Sequence, residues 1–285
     1  MPRPDVAIVI GRPEDSPVGE EVATLARGSG FDFIEKATHE EAANLFVTDE
    51  HLGSGCAVML LCSQCVVHDS LPNVVKALKR QRPDSGKIVV YAQYEWSGVV
   101  ALDCIEAGAY DFLVPDSDRA ELSWHITRAF HGESAYPVYT AATGLLPGAQ
   151  VFIATRYDYD GRQHFNLGIA VALEHLELKP KLGLDEMGTE YIWQKIQGQI
   201  EASKLVIANI SQYGGKGVSR YVTREEQYAR SKNVPVLLIR CADPRKGGNE
   251  PVPANLKGRD WWDYYTCADL ALKLYFGLRP CMKKA

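Results

Sequence analysis

Residues 192–211 read IWQKIQGQIEASKLVIANIS. In the first half Ile192, Ile196 and Ile200 recur every fourth residue, the spacing of one apolar helix face. In the second half LVIANIS is a short apolar run that ends in polar groups, the pattern of a strand covered on both faces. A helix that runs straight into such a strand is the repeating unit of a parallel sheet with helices packed on it. This change of period decides the fold class, α/β, and the rest of the chain extends it.

Downstream, YVTREEQYARSKN predicts a helix and VPVLLIRC a second buried strand; DLALKLYFGL predicts a closing helix. Upstream, QVFIATRY reads as a strand. FNLGIAVALEHLEL reads as a helix with Leu167, Ala170, Val171 and Leu173 near one face, and KPKLGLDE as a strand ending in acids. The first half of the chain shows the same alternation. DVAIVIG, CAVMLLC, KIVVYA and YDFLVP read as strands. GEEVATLARGSG, SLPNVVKALKRQRP, SGVVALDCIEAGA and DRAELSWHITRAFHG read as helices, the third with Val99, Leu102 and Ile105 on its stripe. Between the halves YPVYTAATGLLPGAQ has no period and reads as a linker. The expected organisation is therefore two doubly wound parallel-sheet domains, residues 1–135 and 150–285, joined by a linker at 136–149.

The 285 residues are 46% hydrophobic and 24% charged, with a formal charge of −5. Such a chain can bury a core in each of two domains. Without a run of like charge, neither nucleic acid nor an anionic membrane is expected as a partner. No apolar stretch approaches the length of a membrane span, and the amino-terminal apolar segment is short for a secretory signal. Seven cysteines, an odd number, suit reduced thiols and a cytoplasmic chain. Cys62 and Cys65 form a C-x-x-C, but no second pair with metal-ligand spacing accompanies it; no metal and no cofactor are expected. The seven histidines are scattered and offer no Ser-His-Asp set. RDWWDYY, from Arg259, reads as core or interface aromatics.

The stretch KIVVYAQYEWSGVVALDCIEAGAYDFLVPDSDRAELSWHITRAF, and EAGAYDFLVP within it, resembles the second half of a response-regulator receiver domain. The resemblance spans roughly residues 5–132 and implies a flavodoxin-like fold. It also implies a phosphotransfer centre with an acidic pair after the first strand, an Asp after the third, a hydroxyl residue and a Lys. Here Gly11, Arg12 and Pro13 follow the first strand, and Cys62 or Ser63 stands at the acceptor. Tyr91-Ala92 occupies the hydroxyl position, and no lysine precedes Pro115. Clustered carboxylates are what hold a hard cation. A pseudo-receiver is therefore expected, serving assembly, regulation or docking.

VFIATRYD, GLDE, IWQKIQGQIEASKLVIANIS and YVTREEQYA occur in an order that resembles the nucleoside 2-deoxyribosyltransferase-like proteins, which share a broad fold with TIR domains. This resemblance covers about residues 150–240. It implies a nucleoside or nucleotide substrate, cleavage or transfer at an N-glycosidic bond, and a homo-oligomer. It places Glu225 at the catalytic glutamate. Tyr221 and Arg224 depart from that motif, and Asn209 stands in place of an Asp.

The residues themselves give Glu225 and Glu226 different readings. Thr223 and Glu226 have the spacing of a capping box, which assigns Glu226 a structural bond at the helix start. Glu225 would then lie at the second helical position, where the helix amino terminus favours its ionised form. An ionised carboxylate can attack an anomeric carbon or stabilise an oxocarbenium-like transition state. The plainer alternative is a solvated first-turn acid. Asp185 and Glu186 close the second strand of this half and are the nearest candidates for the acid or hydrogen-bond donor that a leaving base would need, Glu186 also as a substrate contact; a helix cap is the alternative for Asp185. Arg156 and Tyr157 could bind a phosphate and stack on a base, or each could serve a structural role. Asn209 and Ser211 could meet a ribose hydroxyl or simply form a turn. The glycine-rich SQYGGKGVSR, residues 211–220, could cradle a phosphate or be a plain loop. A non-catalytic module that binds a nucleotide or a protein stands as the alternative to an enzyme.

Overall fold

A computed structural model describes residues 6–10, 24, 32–36, 57–62, 71–81, 87–91, 98–113, 124–129, 133–142, 144–157, 159–183, 192–212, 217–242, 256 and 258–283. The chain forms two compact units, Met1–Ala135 and Tyr136–Ala285. Each is an α/β unit built on a five-stranded parallel sheet.

In the first unit the strands are β1 (Val6–Ile10), β2 (Asp32–Lys36), β3 (Ala57–Cys62), β4 (Lys87–Tyr91) and β5 (Asp111–Leu113), ordered β2-β1-β3-β4-β5. Helices α1 (Leu71–Gln81) and α2 (Gly98–Glu106) lie between them, and residues 124–129 are helical. This is the 2-1-3-4-5 order of flavodoxin-like sheets. The strand β2 was not among the sequence expectations; DFIEK carries three charged residues in five and so lacks a buried strand's apolar run. The stripe expected on α2 is also rotated. Gly98, Ala101, Leu102 and Cys104 are buried, and Val99 is exposed, so of the expected stripe Leu102 is buried and Val99 is not.

The second unit contains β6 (Gln150–Ala154), α3 (Tyr159–His164), a π-helical turn (Phe165–Ile169), α4 (Ala170–His175) and β7 (Lys179–Leu182). It continues with α5 (Ile192–Ala202), β8 (Leu205–Asn209), α6 (Arg220–Ser231), β9 (Val236–Cys241), β10 (Trp261–Tyr264) and α7 (Cys267–Leu278). The strand order is β10-β9-β8-β6-β7, which counted within the unit is again 2-1-3-4-5. All five residues of β8 are buried, as a central strand covered on both faces requires. On one side Ile196 and Ile200 of α5, with Val222 and Ala229 of α6, pack on Phe152, Ala154, Val206 and Ala208. Ile192 lies outside this contact and is exposed. The aromatic stretch after Arg259 supplies the fifth strand, β10.

Residues 136–149 are more than a linker. Tyr136 stacks on Phe276 at 4.6 Å, and Tyr139 N donates to Gly277 O. Leu145, 3% exposed, pairs as a bridge with Met282. Gly277 makes room for this strap: a Cβ there would come within 2.7 Å of Pro137 O.

Candidate functional site

In a 2-1-3-4-5 sheet the chain leaves the first and third strands in opposite directions, which opens a crevice at their carboxyl ends. In the second unit that crevice lies at the ends of β6 and β8. From β6 the chain runs through Thr155, Arg156 and Tyr157 into α3. These three residues, with Arg162, Phe165, Asn166 and Leu182, line a cavity of about 270 Å³. Two cations, two aromatic rings, two hydroxyls and one amide thus share a wall that includes no carboxylate among the described residues.

Local structure explains the placement. Leu182 closes β7, and Gly183 follows it. A Cβ on Gly183 would stand 2.6 Å from Tyr157 Oη, so the missing side chain is what lets the tyrosine occupy its place. Phe165 and Asn166 begin the π-helical turn, a wide turn that interrupts a helix and often marks a functional site. The interruption occurs where Gly168 presses on α7: a Cβ there would lie 3.1 Å from Cys267 O and 3.0 Å from Leu270 Cδ2. Arg156 Nη1 donates to Gly217 O at 3.4 Å, which ties the end of β6 to the segment leading into α6. Gly217 has a φ of +69°, a turn that favours glycine.

The expected sugar-contacting pair, Asn209 and Ser211, is buried and lies outside the cavity wall. Ser211 Oγ donates to Asn209 Oδ1 at 2.5 Å and accepts from Cys241 N at 2.7 Å. Asn209 Nδ2 donates to Tyr264 Oη at 3.3 Å. These bonds fasten the end of β8 to β9 and β10, so the turn reading describes both residues as placed. The candidates Asp185 and Glu186, and residues 213–216 of the glycine-rich loop, lie outside the described residues.

The two glutamates depart from the expected arrangement. Helix α6 begins at Arg220, with Ser219 as its N-cap accepting from Tyr221 N. Thr223 is therefore inside the helix, and its hydroxyl donates to Ser219 O at 3.2 Å. No capping box forms. Glu226 is fully buried, and its Oε1 accepts from Arg230 Nε and Arg259 Nη1. It clasps α6 to the approach to β10. Glu225 is 2% exposed, and its Oε2 is buried without a partner. Burial pushes its carboxyl from 4.5 up to about 8. The expected ionised anion is thus a protonated carboxyl at neutral pH. The helix starts earlier than the box implies, so Glu225 sits in the second turn, beyond the strongest part of the helix-terminal field and inside the core. It is not among the residues lining the cavity.

Sequence reasoning missed Thr155, Arg162, Phe165 and Asn166. Arg162 and Asn166 had a readable signal as polar residues in the first turns after β6. Phe165 had none, since an aromatic at helical spacing reads as core.

In the first unit, Cys62 and Tyr91 are register partners at the carboxyl edge of the sheet, and Tyr91 is buried. The other positions weighed for phosphotransfer, Gly11, Arg12, Pro13, Ser63, Ala92 and Pro115, lie outside the described residues. Among the described residues no group of three or more His, Cys, Asp or Glu side chains is placed to hold a metal ion, and no helix is long and apolar enough to cross a membrane.

No protein-family model matches this chain, and no curated protein does. Solved structures similar to it are mostly response-regulator receiver domains. A response regulator from Thermotoga maritima is 16% identical at a TM-score of 0.37, covering 45% of this chain and 99% of its own. A LuxR-family two-component response regulator from Aurantimonas sp. SI85-9A1 is 16% identical at 0.36, covering 46% and 88%. A 2-desoxiribosyltransferase from Leishmania mexicana is 18% identical at 0.34, covering 44% and 97%.

Proposed function

We propose that this protein is a regulatory or signalling module whose second unit binds an anionic, ring-bearing small molecule of the nucleotide class. The observation that carries the reading is the cavity at the carboxyl end of β6. Arg156 and Arg162 share its wall with the rings of Tyr157 and Phe165, and no described lining residue is a carboxylate. Guanidinium groups suit phosphate, and the rings suit a planar base. The first unit serves assembly, regulation or docking, including pairing of two copies. Cys62 stands where the receiver resemblance would put the acceptor Asp, and Tyr91 where it would put the hydroxyl residue. The test is isothermal titration of the full chain with the common nucleoside 5′-monophosphates, beside Arg162→Ala. Binding is expected, weakened in the variant by roughly tenfold or more. No binding at millimolar nucleotide sinks the reading.

Glu225 supports a second reading, cleavage or transfer at an N-glycosidic bond. A carboxyl held neutral near pH 7 by burial is suited to giving a proton to a departing base. This role differs from the ionised nucleophile or charge stabiliser that the sequence led us to expect, and it requires that the substrate reach a group now enclosed. Chromatography of nucleotide incubations would show free base released by the wild type and not by Glu225→Gln. Equal release from both ends this reading and leaves the binding reading intact.

A further inference from the structure

Thr155 is the most enclosed polar side chain on the cavity wall. It is 3% exposed, and its hydroxyl is buried with no hydrogen-bond partner. Leaving a hydroxyl dry and unpaired opposes folding, and valine would fill the same shape without that cost. Strand geometry does not call for the polar atom, since the preceding Val151, Phe152, Ile153 and Ala154 are apolar and buried. Rotation about χ1 exchanges the hydroxyl with the methyl group, so the hydroxyl needs only a rotamer change to meet a ligand.

The wall also has a gradient of charge with depth. Arg162 is exposed, Arg156 is half-buried, and Thr155 is buried. A charged group on a ligand keeps more hydration, and finds stronger donors, at the arginines. A neutral polar group is the part that can go deeper.

We propose that Thr155 is a specificity-determining residue of this cavity, its hydroxyl hydrogen-bonding a neutral polar group on the base or sugar of a nucleoside monophosphate while the arginines hold the phosphate. The proposal rests on the nucleotide-binding reading above. A site that hydrogen-bonds a ligand group discriminates more strongly than one that only packs against it.

The experiment titrates the wild type, Thr155→Val and Thr155→Ser with the four common nucleoside 5′-monophosphates, and with tripolyphosphate as a probe of the anion alone. For the best-binding nucleotide, Thr155→Val is expected to weaken affinity by roughly tenfold and Thr155→Ser by no more than about threefold. Tripolyphosphate affinity is expected to be the same in all three. Without ligand, Thr155→Val is expected to melt at or above the wild-type temperature, because an unsatisfied polar atom has been removed. Unchanged nucleotide affinity in Thr155→Val overturns the proposal and leaves the binding reading standing. An equal loss for tripolyphosphate makes Thr155 an anion contact and also overturns it. A ligand-free melting temperature lower by more than about 3 °C assigns the hydroxyl to the fold instead. Absence of nucleotide binding by the wild type overturns both readings together.

Discussion

At Glu225 a carboxyl with 2% exposure keeps its proton to about pH 8 because burial penalises the ion. Its folded value lies above its unfolded one. The native state therefore binds more protons than the unfolded chain between pH 4.5 and about 8. This group's contribution to stability is complete below that window, falls as pH rises through it, and is flat above. Glu225→Gln should remove the slope. At pH 7.5 the variant is expected to unfold at higher urea than the wild type, by about 1–3 kcal/mol, with the difference shrinking towards pH 5. Parallel pH profiles for the two proteins would contradict the assignment. Glu226, one residue on, has its charge answered by Arg230 and Arg259.

At the scale of the element, α6 shows a local signal losing to a better cap. Thr223 and Glu226 have the box spacing, but Ser219 lies four residues earlier and follows the positive-φ turn at Gly217. The helix therefore starts at Arg220, and Glu226 becomes available to two arginines, one of them distant in sequence. Ser219→Ala should cost about 1 kcal/mol, read from the urea midpoint. It should also raise amide exchange in residues 220–223, with little change in β8. Unaltered exchange there would mean that packing alone holds the helix start. The π-helical turn at Phe165–Ile169 is a second element-scale feature. Its sequence reads as an ordinary amphipathic helix, and it lies where Gly168 comes close to α7.

Over the whole molecule the same strand order is built twice, and the second copy includes a strap from the stretch between them. Tyr136, Ala142 and Leu145 of that strap are buried. A chain beginning at residue 136 should be more stable than one beginning at residue 150, by about 4 kcal/mol in urea unfolding. Equal midpoints would return residues 136–149 to the status of a linker.

The α/β class was legible in the sequence because it depends on periodicity: Ile196 and Ile200 mark a helix face, and LVIAN marks a covered strand. The helix at 71–81 and β4, β6, β8 and β9 were readable for the same reason. Arg156 and Tyr157 were readable as site candidates because they follow a strand at its carboxyl end. The sequence alone did not decide the strand character of WWDY, the strap, or the protonation of Glu225. It also did not show that Arg162, Phe165, Asn166 and Thr155 share one cavity. Each of these depends on burial by residues distant in the chain, and both desolvation and side-chain convergence are set by the folded environment rather than by local spacing.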